Sequence, residues 1–283
     1  MADRKNTSSA TSTGAGVLRP DELTRHVRVD RMPCTAKLAP WVENYWMLTW
    51  NLPAGTSYLS STLPHPACTL SVERGHLRTG VEDDQVVVTG VLTHRFDVNV
   101  EGAGWVFGVK FRPGGLASLA GVSARRLRDL TVPARDVVPA DTADALRELG
   151  PHLSAADCRR RVDEVLARIT TTPEPAYETL LGVVSVMLQD RSLVQVAQVE
   201  ERCGIEKRRL QRLFEKYVGV TPKWTLARYR IHDALSDLDA GYAGSLADLA
   251  ARYGWFDQAH FTREFTDLVG VPPSAYQRHS PTG

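Results

Sequence analysis

The sequence predicts an α+β protein of two domains: a β-rich, sandwich- or barrel-like N-terminal half and an all-α C-terminal half with two helix-turn-helix units. From Leu38 to about residue 135, short apolar or alternating runs are separated by Pro, Gly and acidic turn signals, the texture of short strands. At Thr170-Thr171-Thr172-Pro173-Glu174-Pro175 periodicity stops and two prolines intervene, which marks a linker. Beyond it apolar residues recur at helical spacing, and one phrase is written twice: CGIEKRRLQRLF with GVTPKW, then YGWFDQAHFTREF with GVPPSAY.

A chain of 283 residues accommodates two domains, since single cores rarely exceed about 250–300 residues. Its 43% hydrophobic and 24% charged residues are those of an ordinary globular protein. The net charge of +1 gives no global field toward nucleic acid or membrane, so such binding must rest on a local cluster of Lys and Arg. Cys34, Cys68, Cys158 and Cys203 are far apart and form no CxxC pair, which argues against a zinc ribbon and a disulfide framework. The opening MADRKNTSSATSTGAG lacks the apolar core of a signal peptide, and no window approaches the roughly 18 apolar residues of a membrane span. A cytoplasmic protein without membrane association is expected.

Taken in order, residues 1–30 read as a flexible tail rich in Ser, Thr and Gly. Residues 31–135 read as the β-rich regulatory or ligand-sensing domain. Its strand runs are Tyr45 to Trp50, Cys68 to Val72, Val86 to Val88, Phe96 to Val100 and Trp105 to Phe111. The last ends at Arg112-Pro113-Gly114-Gly115, where proline removes a ladder donor and the glycines allow a sharp turn into a helix at Leu116 to Ala120. Residues 136–172 hold two helices, about Thr142 to Leu149 and Ala155 to Ile169, which either close the barrel or form a dimer contact, and then the linker. Residues 173–283 read as nearly all helix, beginning with the apolar stripe Leu180, Leu181, Val184 and Met187.

In the upstream copy, Leu210, Leu213, Phe214 and Tyr217 follow i, i+3, i+4, i+7 spacing and form one buried face, leaving Lys207, Arg208, Gln211 and Arg212 on the other. Leu193, Val196, Ala197 and Val199 supply the preceding helix, and Gly204 the joint. In the downstream copy Leu246, Ala247, Leu249 and Ala250 form the first helix, Gly254 the turn, and Phe261 with Phe265 the buried stripe of the second. Gly204 and Gly254 are 50 positions apart, whereas Phe214 and Phe265, Gly219 and Gly270, and Pro222 and Pro273 are each 51 apart, so the second copy carries one extra residue at the entry to its second helix. Ala197, Gly204, Leu210, Phe214, Ala247, Gly254, Phe261 and Phe265 are thus expected as the helix-turn-helix core. Trp224 to about Asp239 reads as one helix connecting the copies.

Residues 178–279 resemble the DNA-binding domain of AraC-family (AraC/XylS) transcription regulators, most specifically through Gly254, Asp257-Gln258, His260-Phe261, Arg263, Phe265, Gly270, Pro273 and Tyr276. Trp255 takes the family's aromatic position. Phe256 stands where a small polar residue commonly caps the helix, which passes the cap to Asp257, and Arg278 falls one place late. The resemblance implies that Arg208, Gln211, Arg212, Gln258, Thr262 and Arg263 contact bases in successive major grooves of double-stranded DNA, chemistry suited to Arg on guanine, Gln on adenine and Thr on the thymine methyl. Lys207, Arg209, Lys223, Arg228 and Arg230 suit phosphate contacts, and His260 suits either phosphate or packing. It further implies effector control or self-association through a cupin-like N-terminal barrel, with RNA polymerase, a small-molecule effector and a second copy as candidate partners.

Within the β-rich half, His65, Glu73, His76 and His94 belong to the residue types of a metal site, but the close His-x-His spacing is absent, so neither metal nor other cofactor is expected. Trp41, Tyr45, Trp46, Trp50 and Trp105 either line a pocket or fill the core. Arg112 suits an anion or the surface; Cys68 and Cys203 suit redox sensing only if exposed, and burial is the stronger reading. No nucleophile elbow, Walker loop or dinucleotide fingerprint is present, so no enzyme is expected. Two alternatives remain: an architectural or repair-linked DNA-binding protein without effector control, and a β-barrel metal-dependent enzyme fused to a helical domain.

Overall fold

The computed structural model describes residues 16–75, 85–170 and 172–279. A short helix α1 (Pro20–His26) leads into strands β1 (Val27–Met32), β2 (Val42–Asn51), β3 (Ser57–Thr62), β4 (Thr69–Arg74), β5 (Val86–Thr89), β6 (Phe96–Glu101) and β7 (Ala103–Phe111). Helix α2 (Gly115–Ala120), strand β8 (Thr131–Pro133) and helices α3 (Ala140–Arg147) and α4 (Ala155–Ile169) complete the N-terminal half. The C-terminal half is α5 (Pro175–Gln189), α6 (Val196–Cys203), α7 (Lys207–Leu213), α8 (Pro222–Asp239), α9 (Leu246–Arg252), α10 (Gln258–Val269) and α11 (Pro273–His279). The two-domain α+β class is the one the sequence predicts.

The strands form a six-stranded sheet in the order β1-β2-β7-β4-β5-β8, antiparallel throughout, and a separate β3–β6 pair. Neither sheet closes on itself, so the barrel-like expectation gives way to two open layers. Alternation along β7 explains the layering, because Trp105, Phe107, Val109 and Phe111 face one way and Val106 and Lys110 the other. The first face packs on α4 through Val162, Val165 and Leu166, and the buried Tyr45 hydroxyl donates to Asp163 at 2.7 Å. α3 and α4 therefore cover one face of an open sheet, in place of the barrel closure their sequence suggested.

The expectation of a tail through residue 30 is corrected beyond position 16. Pro20 begins α1, and the alternating VRVDRM run of β1 pairs with β2 from Val27 opposite Trp50 to Met32 opposite Tyr45. Residues 1–15 of the expected tail lie outside the described residues. Arg112 is not on the surface: it is buried, and its Nε donates to the Ala39 carbonyl at 2.7 Å. Cys68 is also buried, which pushes its thiol up to about 12, and burial raises that of Cys203 against the pull of Arg202. Neither thiol has the lowered pKa that reactivity requires.

The expected linker does not separate two cores. One apolar cluster runs from Leu38 and Phe111 in the sheet layer through Tyr177 and Val184 of α5 to Leu210, Phe214 and Tyr229. A second joins Leu18 and Leu63 of the N-terminal half to Ile231, Leu235, Phe261, Phe265 and Tyr276.

Candidate nucleic-acid interface

The upstream unit is built from α6, the Gly204 turn and α7. Gly204 ends α6 with φ 59°, a left-handed conformation that glycine adopts without steric cost. Leu210, Leu213, Phe214 and Tyr217 are buried in register with the 3.6-residue repeat, as predicted. After Leu213 the helix loosens into a π-turn at Phe214–Val218, where the N-terminal half grips it. Arg125 pairs with Glu215 at 2.5 Å, Lys216 with Glu174 at 2.7 Å, and a Cβ on Gly219 would press on the Ala124 backbone at 2.7 Å.

The downstream unit repeats the plan with α9, Gly254 at φ 71° and α10. Asp257 caps α10, accepting from the His260 N–H at 2.7 Å, a contact typically worth about 1 kcal/mol. Trp255, Phe261, Phe265 and Tyr276 form a chain of ring contacts with centroids 4.7, 5.5 and 5.9 Å apart. α8 connects the units, with Thr221 as its N-cap and Leu226, Ile231, Ala234, Leu235 and Leu238 buried along it.

Buried stripes turn the remaining residues outward. Lys207, Arg208, Arg209, Gln211 and Arg212 of α7 are exposed, as are Gln258, His260 and Arg263 of α10, while Thr262 is half-buried. Lys223, at the start of α8, is also exposed. Among the described residues none of Lys207, Arg208, Arg209, Arg212, Arg263 or Lys223 enters an ion pair or a side-chain hydrogen bond. Their neighbours off these faces do: Arg202 pairs with Asp190 at 2.6 Å, Arg252 with Asp237 at 2.9 Å and Arg191 with Asp233 at 3.0 Å. Within the C-terminal half, among the described residues, the unpaired Lys and Arg side chains thus lie on the two exposed helix faces and at the start of their connector.

Burial corrects two phosphate assignments. Arg228 is buried, its Nη2 3.2 Å from Glu264 and its guanidinium 5.4 Å from the Trp224 ring centre. Arg230 donates from Nε to the Tyr253 carbonyl at 2.6 Å and stacks over Trp255 at 4.4 Å. Arg228 ties α8 to the downstream unit through Glu264, which also accepts from Trp255 Nε1 at 2.8 Å, and Arg230 does so through the Tyr253 carbonyl and the Trp255 ring. The core assignment of Ala197 and Ala247 is corrected too: both are exposed on the first helices, where Val199, Leu249 and Ala250 take the buried places. Gly204 and Gly254 are exposed turn residues rather than core.

One residue of this surface was read from the sequence only as a displaced cap. Phe256, the single-residue insertion between Trp255 and Asp257, is 93% exposed beside the N-terminus of α10. The 50-versus-51 offset held the signal for it.

A family described as a helix-turn-helix domain matches residues 200–279, and a domain of unknown function (DUF6597) matches residues 30–133. The HTH-type transcriptional activator AarP of Providencia stuartii is 32% identical over 106 residues, covering 38% of this chain and 75% of AarP. The chain belongs to the AraC family of transcription regulators. Another regulator, GbdR of Pseudomonas aeruginosa, is 25% identical over 146 residues, or 48% of this chain, and the chain spans 40% of GbdR's length. Among solved structures, ToxT from Vibrio cholerae O395 aligns with 91% of this chain and 98% of its own at 13% identity, with a TM-score of 0.37.

For this AraC-family chain the N-terminal half offers no metal centre among the described residues, where no three His, Cys, Asp or Glu side chains converge. His94 contacts Asp129 at 3.3 Å and His65 lies against His232, while His76 lies outside the described residues. No helix among the described residues is long and apolar enough to cross a membrane.

Proposed function

We propose that the chain is a cytoplasmic, sequence-specific regulator of transcription that lays α7 and α10 into successive major grooves of double-stranded DNA, about 34–36 Å apart. Arg208, Gln211, Arg212, Gln258, Thr262 and Arg263 read bases, while Lys207, Arg209, Lys223 and His260 hold phosphates. Residues 31–135 sense an effector or self-associate, 136–172 brace that domain, and 173–283 bind DNA. RNA polymerase and a second copy are the proposed protein partners, and the chain acts by binding rather than catalysis.

The supporting observation is the pair of unpaired arginines at equivalent places on two duplicated helices, Arg212 and Arg263, 51 positions apart. Solvation alone would distribute such charge among the flanking helices, where the arginines are instead paired. Selection of genomic fragments by the full chain supplies the operator for the test. Arg212→Ala and Arg263→Ala are each expected to weaken operator binding by about 1–3 kcal/mol and to relax preference at one base. Lys223→Ala is expected to reduce the salt slope by about one with preference unchanged. Unaltered base preference in both arginine variants would refute the assignment.

A further inference from the structure

Between the two sheets lies a cavity of about 530 Å³, within the usual range of about 300–1,000 Å³ for small-molecule sites. Its floor is the face of the six-stranded sheet turned away from α4, and β3, β6 and α1 contribute to its remaining walls. Strand register orders this floor. Asn44, Lys110, Thr69 and Thr89 lie side by side across β2, β7, β4 and β5, forming one polar row. Farther along the strands the lining is chiefly apolar, with Val29, Leu48 and Val106 adjacent across β1, β2 and β7. Two cross-strand pairs pave it: the Trp46 indole lies across Gly108 and the Trp50 indole across Gly104, where a Cβ on either glycine would overlap the ring.

Lys110 is the anomaly in this arrangement. Its side chain is half-buried and faces the cavity, and desolvation lowers its ammonium to about 8. Glu43 draws the charge and Arg31 opposes it, but among the described residues no group hydrogen-bonds or ion-pairs with the ammonium. Desolvating an ammonium without a partner is unfavourable, and the usual remedy is a counter-charge. Glu73 is on the same face but is held by Ser71, whose hydroxyl donates to it at 2.7 Å.

We propose that this cavity binds a small, largely apolar organic anion with a planar ring system. Its acidic group meets Lys110 within the row of Asn44, Thr69 and Thr89, and its body rests on Trp46 and Trp50. The wall also supplies a route outward. Leu63, Pro64 and His65 line the cavity; Leu63 packs in the downstream helix-turn-helix core, the Pro64 carbonyl accepts from His232 Nε2 of α8 at 3.0 Å, and the His65 and His232 rings are 4.3 Å apart. The ligand's role as an effector rests on the regulator reading, whereas its binding does not.

The test uses the full chain without DNA and three probes sharing one ring: 2-naphthoate, neutral 2-naphthamide and 2-naphthylmethylammonium. Titration is followed by tryptophan fluorescence and calorimetry. Naphthoate is expected to saturate and to bind at least about tenfold more tightly than the amide, with the cation weakest. Lys110→Met should erase the preference for acid over amide while amide binding persists, Lys110→Arg should restore part of it, and Trp46→Leu should weaken both acid and amide. Equal binding of acid and amide, tighter binding of the cation, no saturable naphthoate binding, or an undiminished acid preference in Lys110→Met would each overturn the proposal. A parallel titration with operator DNA then reports on control alone: naphthoate that binds but leaves DNA affinity unchanged would refute the effector role and leave the ligand site standing.

Discussion

The Lys110 ammonium, desolvated on the cavity wall without a paired counter-charge, yields a prediction opposite to that for most interior substitutions. Lys110→Met removes an unpaired, half-buried charge and keeps most of the side-chain volume, so it is expected to raise stability by about 1 kcal/mol in urea unfolding at pH 7. The pH dependence follows from linkage. The folded-state pKa of about 8 lies below the ordinary lysine value of 10.5, so between those values the unfolded chain binds more protons and wild-type stability rises with pH. The charged groups acting on the ammonium are Glu43 on β2, which favours it, and Arg31 on β1, which disfavours it. The advantage of Lys110→Met is therefore expected to shrink from pH 8 to pH 10.5, and an unchanged gap would show the ammonium to be hydrated. Phe256 makes the converse case. Because it is 93% exposed, Phe256→Ser is expected to change stability by no more than about 0.5 kcal/mol while weakening DNA binding, as melts and titrations on one preparation would show.

Within the helix-turn-helix elements the two turn glycines look alike in sequence but differ in surroundings. Gly204 has open space where a Cβ would stand, whereas at Gly254 a Cβ would overlap Val194. Gly204→Ala carries only the left-handed backbone penalty of about 1–2 kcal/mol, and Gly254→Val adds a steric clash to it. Gly254→Val is expected to lower the melting temperature well beyond Gly204→Ala, as thermal circular dichroism would show; equal effects would mean that Val194 yields freely. Legibility divides along the same line. Apolar periodicity and paired glycines made α7, α8, α10 and five strands readable, because those signals are local. β1, β3 and β8 were missed, since the first lies against a Ser- and Gly-rich opening and the other two are held by partners distant in sequence. The inward course of Arg228 and Arg230 was hidden for a similar reason: only the fold places Glu264 and the Tyr253 carbonyl beside them. The cavity floor was half legible, in that Trp46 and Trp50 were candidates, but Gly104 and Gly108 acquire meaning only once the strand register is known.

For the whole molecule, the continuous core from Leu38 to Tyr229 means that the stretch from Thr170 to Pro175 does not connect two independent bodies. Introducing a protease site there and cutting it is expected to leave the halves associated on size exclusion and melting in one transition; separation without denaturant would show the shared core to be weak. The three residues Leu63, Pro64 and His65 give this arrangement a further meaning. They serve the chamber between the sheets on one side and the shaft joining the two DNA readers on the other. Exchange of N-terminal halves among relatives at the proline-rich junction would part His65 from its neighbour His232, so a working hybrid must inherit both histidines from one parent. What the chamber accepts and how the readers sit are in that sense heritable only as a set.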